Sequence, residues 1–287
     1  MRPVMKSKLL RLLRTVAVCY LLLSVLIGLL QRYLIYLPFR EAESSLVEQA
    51  RAARCEPWRD AGGAIIGWKS ESAGSSPAAN RLVVFHGNAG YALHRQQYFE
   101  GFGALDEGRT WEVLVFEYPG YGARPGKISE ASFIEAGMRA VRALAADPRP
   151  IYLLGESLGS GLACALAARF PERIAGLFMI TPFADLGGVA SHHYPFLPVR
   201  LLLRDRWDNA AALRRYAGRV AVLLAEDDEV VTAAQGRLLF NQYSGPKRLW
   251  TERGARHNTL NFSASAPWWR EVSDFLRTPP APRLSPL

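Results

Sequence analysis

Cysteine and histidine are scarce in this chain, at three and five of 287 residues. So few cysteines cannot staple a disulfide scaffold. Cys19 lies in an apolar run, Cys55 stands alone, and Cys164 sits in a helical stretch, so no disulfide is expected. His192 and His193 are adjacent, but no Cys, Asp or His around them completes a metal-ligand spacing. Phosphate loops and dinucleotide fingerprints are absent too, so neither a cofactor nor a metal is expected. Acidic residues are missing before Glu41, which leaves Arg2, Lys6, Lys8, Arg11 and Arg14 unopposed. These five supply more than half of the formal +9. The remaining excess is ordinary for a large domain and argues against nucleic acid as a partner.

After the basic flank, the sequence from Thr15 to Leu30 is almost uninterruptedly apolar. Gln31 and Arg32 intervene, and Tyr33 to Phe39 then resumes the run. With Arg32 reaching toward headgroups, residues 15–37 are long enough to cross a bilayer, with Tyr33 and Tyr36 at the interface. No small-x-small cleavage site comes after it, so the segment reads as a retained anchor. The basic flank, residues 1–14, predicts a cytoplasmic N-terminus and a domain on the opposite, periplasmic or extracytoplasmic side.

Beyond a juxtamembrane segment at 38–60, with a polar helix from Glu41 to Arg54, one domain is expected over 61–277. Ala61 to Trp68 reads as its first strand or hairpin, and Glu71 to Asn80 as a flexible loop. Apolar strands come next at Leu82–Phe85, Val113–Tyr118, Ile151–Leu154, Leu177–Thr181, Val220–Ala225 and Arg248–Thr251. They alternate with helices at Glu130–Ala146, Gly161–Arg169, Ala233–Tyr243 and Trp268–Leu276. That alternation predicts an α/β fold, a mostly parallel twisted sheet with helices on both faces. Residues 185–216, rich in proline and apolar side chains, interrupt it as a short cap that faces an acyl group or the bilayer. Within it Trp207-Asp208-Asn209 reads as a structural fixture. The Pro-rich 278–287 reads as a disordered tail.

Gly155-Glu156-Ser157-Leu158-Gly159 lies between the strand ending at Leu154 and the small-residue helix from Ser160. G-x-S-x-G at a strand-to-helix turn is a nucleophile elbow, which strains the serine and exposes its hydroxyl. Acid and histidine come in the required order on later strand ends: Ala225-Glu226-Asp227-Asp228-Glu229-Val230-Val231, then Gly254-Ala255-Arg256-His257-Asn258. In an open parallel sheet such strand ends meet at one crevice. The expected triad is Ser157, Asp228 and His257, with Asp227, Glu226 and Glu229 as the acid's competitors. His86 is expected to shape a loop, and His94 lies at a helix start. The loop His86-Gly87-Asn88-Ala89-Gly90 would supply one oxyanion donor, the backbone N–H of Asn88, and Leu158 the other.

These stretches, with Phe116-Glu117-Tyr118-Pro119-Gly120-Tyr121-Gly122 and Arg204-Asp205-Arg206-Trp207-Asp208-Asn209, resemble the α/β-hydrolase superfamily. The likeness is greatest to its small-lid, membrane-anchored serine hydrolases, of the serine-aminopeptidase-like or hydrolase-domain-containing kind. It runs from about Ile65 to the last helix. Ala225 and Thr232 depart from the family's Gly and Pro in the acid loop but leave Asp228 in register. The resemblance implies hydrolysis of an ester, thioester or amide through an acyl-serine, with an acyl or lipid-like ester preferred by the anchor and cap. A serine-aminopeptidase-type peptidase and a catalytically inactive binding or scaffold protein are the alternatives.

Overall fold

The computed structural model describes residues 2–71, 77–103 and 105–278. Half of the expected loop at 71–80, residues 72–76, and, beyond Thr278, the expected tail lie outside the described residues. Eight strands among those described form one sheet. They are β1 (Cys55–Arg59), β2 (Ile65–Ser70), β3 (Asn80–Phe85) and β4 (Trp111–Phe116), then β5 (Ile151–Glu156), β6 (Ile174–Ile180), β7 (Arg219–Ala225) and β8 (Lys247–Glu252). Their order across the sheet is β1-β2-β4-β3-β5-β6-β7-β8. β2 runs antiparallel to β1 and β4, and every other pairing is parallel. The sheet begins at Cys55, inside the stretch expected to be juxtamembrane. Pro57 and two charges hide this strand from a hydropathy reading, and its place at the sheet edge is where proline is tolerated.

Parallel strands covered on both faces read as continuous apolar runs. β3 is such a strand: Leu82 and Val84 point to one core, Val83 and Phe85 to the other. Helices Glu130–Leu144, Gly159–Arg169 and Ala233–Gln242 bury their apolar faces in the second core. Glu43–Ala52 and Trp268–Arg277 cover the first. Ser129 caps the helix Glu130–Leu144 by accepting from the Ser132 amide, an N-terminal donor that would otherwise be unpaired.

The first helix is longer than the expected anchor, Arg2–Ile35, and Ser7–Ile35 is long and apolar enough to cross a membrane. Just beyond it Leu37–Pro38 pairs in parallel with Ala89–Gly90, away from the main sheet. The cap region folds as three short helices, Leu186–His193, Val199–Leu202 and Asn209–Leu213. The third belongs to the body of the domain. Asn209 donates to Ser160 Oγ at 3.1 Å and to the Phe183 carbonyl at 2.9 Å. Trp207 packs so closely on the elbow helix that a Cβ at Gly161 would come within 2.6 Å of its ring.

Candidate active site

Ser157 sits at the turn between β5 and the helix Gly159–Arg169 with φ of 51°, a left-handed backbone that a serine adopts at a cost. The turn is held by the Ser157 amide donating to the Ile180 carbonyl at 2.8 Å and by Ser160 Oγ donating to the Ser157 carbonyl at 2.7 Å. Both flanking glycines are required by space. A Cβ at Gly155 would lie 2.5 Å from Ser160 Cα, and one at Gly159 would lie 2.0 Å from the Phe85 carbonyl oxygen. The elbow therefore lies directly against the end of β3.

The loops after β7 and β8 bring the other two expected side chains to this serine. His257 Nε2 lies 3.1 Å from Ser157 Oγ, and its Nδ1 lies 2.8 Å from Asp228 Oδ2. The other Asp228 oxygen accepts from the amides of Val230 at 2.9 Å and Val231 at 2.7 Å. Four acids compete on this loop, and geometry separates them. Glu226, Asp227 and Glu229 are exposed while Asp228 is buried. Glu226 accepts from the Gly254 amide and Glu229 from that of His257, so both brace the loop. With the ionised Asp228 accepting at Nδ1, the imidazole proton belongs there and Nε2 is left free to accept from the Ser157 hydroxyl.

The loop from His86 to Gly90 runs alongside, with Gly87 beside Ser157. Neither the Asn88 nor the Leu158 amide donates to a protein acceptor among the described residues. That is the condition an oxyanion site needs. The loop is restrained from three directions. Tyr118 donates to the His86 carbonyl at 2.6 Å and Tyr121 to the Asn88 carbonyl at 2.8 Å. Leu37, just past the first helix, donates its amide to the same Asn88 carbonyl at 3.0 Å, while Asn88 Nδ2 reaches back to the Ile35 carbonyl at 3.1 Å. His86 is fully buried beneath the loop.

His94 packs against Tyr91, and burial, followed by the Arg95 charge, lowers its pKa. His193 binds the Val230 carbonyl at 2.8 Å, and neither it nor His192 belongs to a metal-binding cluster among the described residues. Cys19, Cys55 and Cys164 are free thiols. Burial pushes the Cys55 thiol up to about 12.

One part of the site is absent from any sequence reading. Glu156, inside the elbow, is half-buried and grips Arg95 Nε through both carboxylate oxygens at 3.1 and 2.8 Å. Tyr98 donates to the same carboxylate at 2.8 Å. Burial alone would push the Glu156 carboxyl up, but the Arg95 charge and these hydrogen bonds bring it below its ordinary range. No motif signals this trio, because Arg95 and Tyr98 lie about sixty residues upstream, on two separate short helices.

The α/β-hydrolase fold family matches residues 80–227, and the chain belongs to that family. Lipases and esterases are among the proteins it is similar to. Among its relatives, an uncharacterized protein of Mycobacterium tuberculosis is 34% identical over 266 residues, covering 88% of this chain and 91% of that one. The lysophosphatidylserine lipase ABHD12 of Danio rerio is 28% identical over 252 residues, covering 77% of this chain and 64% of that one. The structure of a Pyrococcus furiosus esterase superposes with a TM-score of 0.63 at 14% identity, over 84% of this chain and 96% of that one, a likeness of fold. The N-terminal apolar helix fits a single-pass membrane protein.

Proposed function

We propose that this protein is a membrane-anchored serine hydrolase that cleaves acyl esters through an acyl-serine intermediate. The observation that carries the reading is the continuous hydrogen-bonded line from Ser157 through His257 to Asp228, set on a strained elbow. Ser157 Oγ attacks the ester carbonyl as its proton passes to His257 Nε2. Asp228 stabilises the imidazolium through Nδ1–H. The carbonyl oxygen, now an oxyanion, accepts from the amides of Asn88 and Leu158, each worth about a hundredfold or more in rate. Collapse expels the alcohol, which takes the proton from Nε2 and leaves the acyl group on Ser157. Water then attacks with His257 again as base, releasing the acid and restoring the serine.

Supporting an acyl, lipid-like ester are the anchor, the apolar cap and the likeness to a lysophosphatidylserine lipase. The basic flank supports a cytoplasmic N-terminus with the catalytic domain across the membrane. The test is hydrolysis by the full chain in phospholipid vesicles of lysophospholipids, monoacylglycerols, short-chain esters and aminopeptidase substrates. The reading expects acyl esters to be turned over by wild type and not by Ser157→Ala. Turnover of peptides alone, or of nothing by folded protein, would contradict it.

A further inference from the structure

The cap does not stand clear of the N-terminal helix; it runs along it. Tyr20 Oη donates to the Phe196 carbonyl at 2.8 Å. Farther along the helix, a Cβ at Gly28 would lie 3.4 Å from Leu202 Cδ2. Gln31 then clasps the same segment from both ends, donating to the Leu202 carbonyl at 2.9 Å and accepting from the Arg204 amide at 2.7 Å. Arg32 closes the contact with a bidentate pair to the buried Asp205 at 2.8 and 3.0 Å. From Tyr20 to Arg32 the helix rises about 18 Å, so the cap follows it for more than half a hydrocarbon thickness.

This contact fixes where the cap lies once the helix is taken as an anchor, and the inference rests on that reading. Lys8, Arg11 and Arg14 keep the hydrocarbon from reaching far toward the N-terminus. Tyr20 lies only about 9 Å beyond Arg14. Were everything level with Phe196 in water, the bilayer would have to sit on these three cations. We therefore infer that the cap tip, residues 194–203, is inserted in the bilayer beside the anchor and opens the active-site region laterally to membrane lipid.

The tip is built for that solvent. Its sequence is Tyr-Pro-Phe-Leu-Pro-Val-Arg-Leu-Leu-Leu, and its single charge, Arg200, pairs with Asp185 at 3.2 Å. Phe196 is 87% exposed, Leu201 86% and Tyr194 54%, values that suit a lipid-facing surface and not an aqueous one. Irregular backbone survives in hydrocarbon only when its polar groups are paired. Here Pro195 and Pro198 have no amide to satisfy, and six of the other eight amides, those of Tyr194, Leu197, Val199, Leu201, Leu202 and Leu203, donate to backbone carbonyls, while those of Phe196 and Arg200 do not among the described residues. The carbonyls of Phe196 and Leu202 are those taken up by Tyr20 and Gln31. Between tip and anchor lies an apolar crevice walled by Ile27, Leu34, Ala190, Tyr194 and Leu202, which hydrocarbon fills at this depth. His193, at the end of the helix Leu186–His193 that adjoins the tip, binds the carbonyl of Val230 in the acid loop, two residues past Asp228. A lipid ester would thus reach Ser157 without leaving the membrane.

Spin labels on the full chain in phosphatidylcholine–phosphatidylglycerol vesicles test this. In a Cys19→Ser background, nitroxides are placed by Phe196→Cys in the tip, Leu26→Cys in the anchor and Leu238→Cys at an exposed position of the domain helix Ala233–Gln242. Collisions with oxygen and with a water-soluble nickel chelate are compared. The inference expects labels at 196 and 26 to share a high oxygen-to-nickel ratio, severalfold above that at 238. A label at 26 in lipid with one at 196 as nickel-accessible as 238 would overturn the cap insertion while leaving the anchor standing. A label at 26 in water would remove the anchor reading and the insertion with it.

Discussion

Replacing Asp228 with Asn keeps the size and polarity of the side chain but reverses what it can offer His257. Asp228 Oδ1 already accepts from the Val230 and Val231 amides, and these donors hold one end of the group. An asparagine must keep its oxygen there and turn its NH2 toward His257 Nδ1, 2.8 Å away. Nδ1 then has to accept, the imidazole proton moves to Nε2, and Nε2 faces Ser157 Oγ as a donor. The base is lost although every heavy atom stays in place. The expected loss in kcat is about 10⁴-fold, equivalent to about 5 kcal/mol of barrier, with KM little changed. The assay is steady-state hydrolysis of a p-nitrophenyl acyl ester by detergent-solubilised protein, with Asp227→Asn as the comparison. Asp227 is exposed, and it is Asp228 that His257 Nδ1 meets, so the 227 variant should retain activity within a few-fold. A loss below tenfold at 228, or an equal loss at 227, would refute the assignment of the acid.

Two further predictions concern the elbow's supports. Gly159→Ala puts a methyl 2.0 Å from the Phe85 carbonyl oxygen, a backbone atom that cannot move aside. We expect a loss of more than about 3 kcal/mol, read as a failure to recover folded, monodisperse protein; wild-type recovery would contradict the close approach. Glu156→Gln leaves the half-buried Arg95 without its counter-charge and should lower stability by about 2–3 kcal/mol, read as the drop in the thermal midpoint. The same pair sets a pH dependence. The folded Glu156 carboxyl lies below its unfolded value, so its contribution is present above the unfolded value and is lost as the pH falls through the folded one. Wild type and Glu156→Gln should therefore converge in stability below about pH 4, and a constant gap down to pH 3 would contradict the pairing.

The elbow and the strand ends were legible because their requirements are local. Gly155 and Gly159 are forced by atoms in their own turn or the neighbouring strand, and a strand-turn-helix hydropathy pattern marks where that turn falls. The parallel strands announce themselves as apolar runs for the same reason that they are buried on both faces. The choice among four acids was less legible, since spacing ranks Asp228 first but only burial and the Val230 and Val231 amides single it out. What stayed hidden depends on partners distant in sequence. Arg95 and Tyr98 reach Glu156, Tyr121 reaches Asn88, and Leu37, just past the N-terminal helix, reaches the same Asn88 carbonyl. Hydropathy periodicity reports which face is apolar and carries no information about which polar groups will meet. The edge strand Cys55–Arg59 escaped because Pro57 and its two charges, which an edge position tolerates, break up the apolar pattern.

The most direct test of the central claim is covalent labelling of the full chain with a fluorophosphonate, then mass spectrometric mapping of the modified peptide. An activated nucleophile predicts rapid stoichiometric modification at Ser157, abolished in Ser157→Ala and slowed by orders of magnitude in His257→Ala. Folded wild-type protein that stays unlabelled, or that carries the label on another residue, would contradict it.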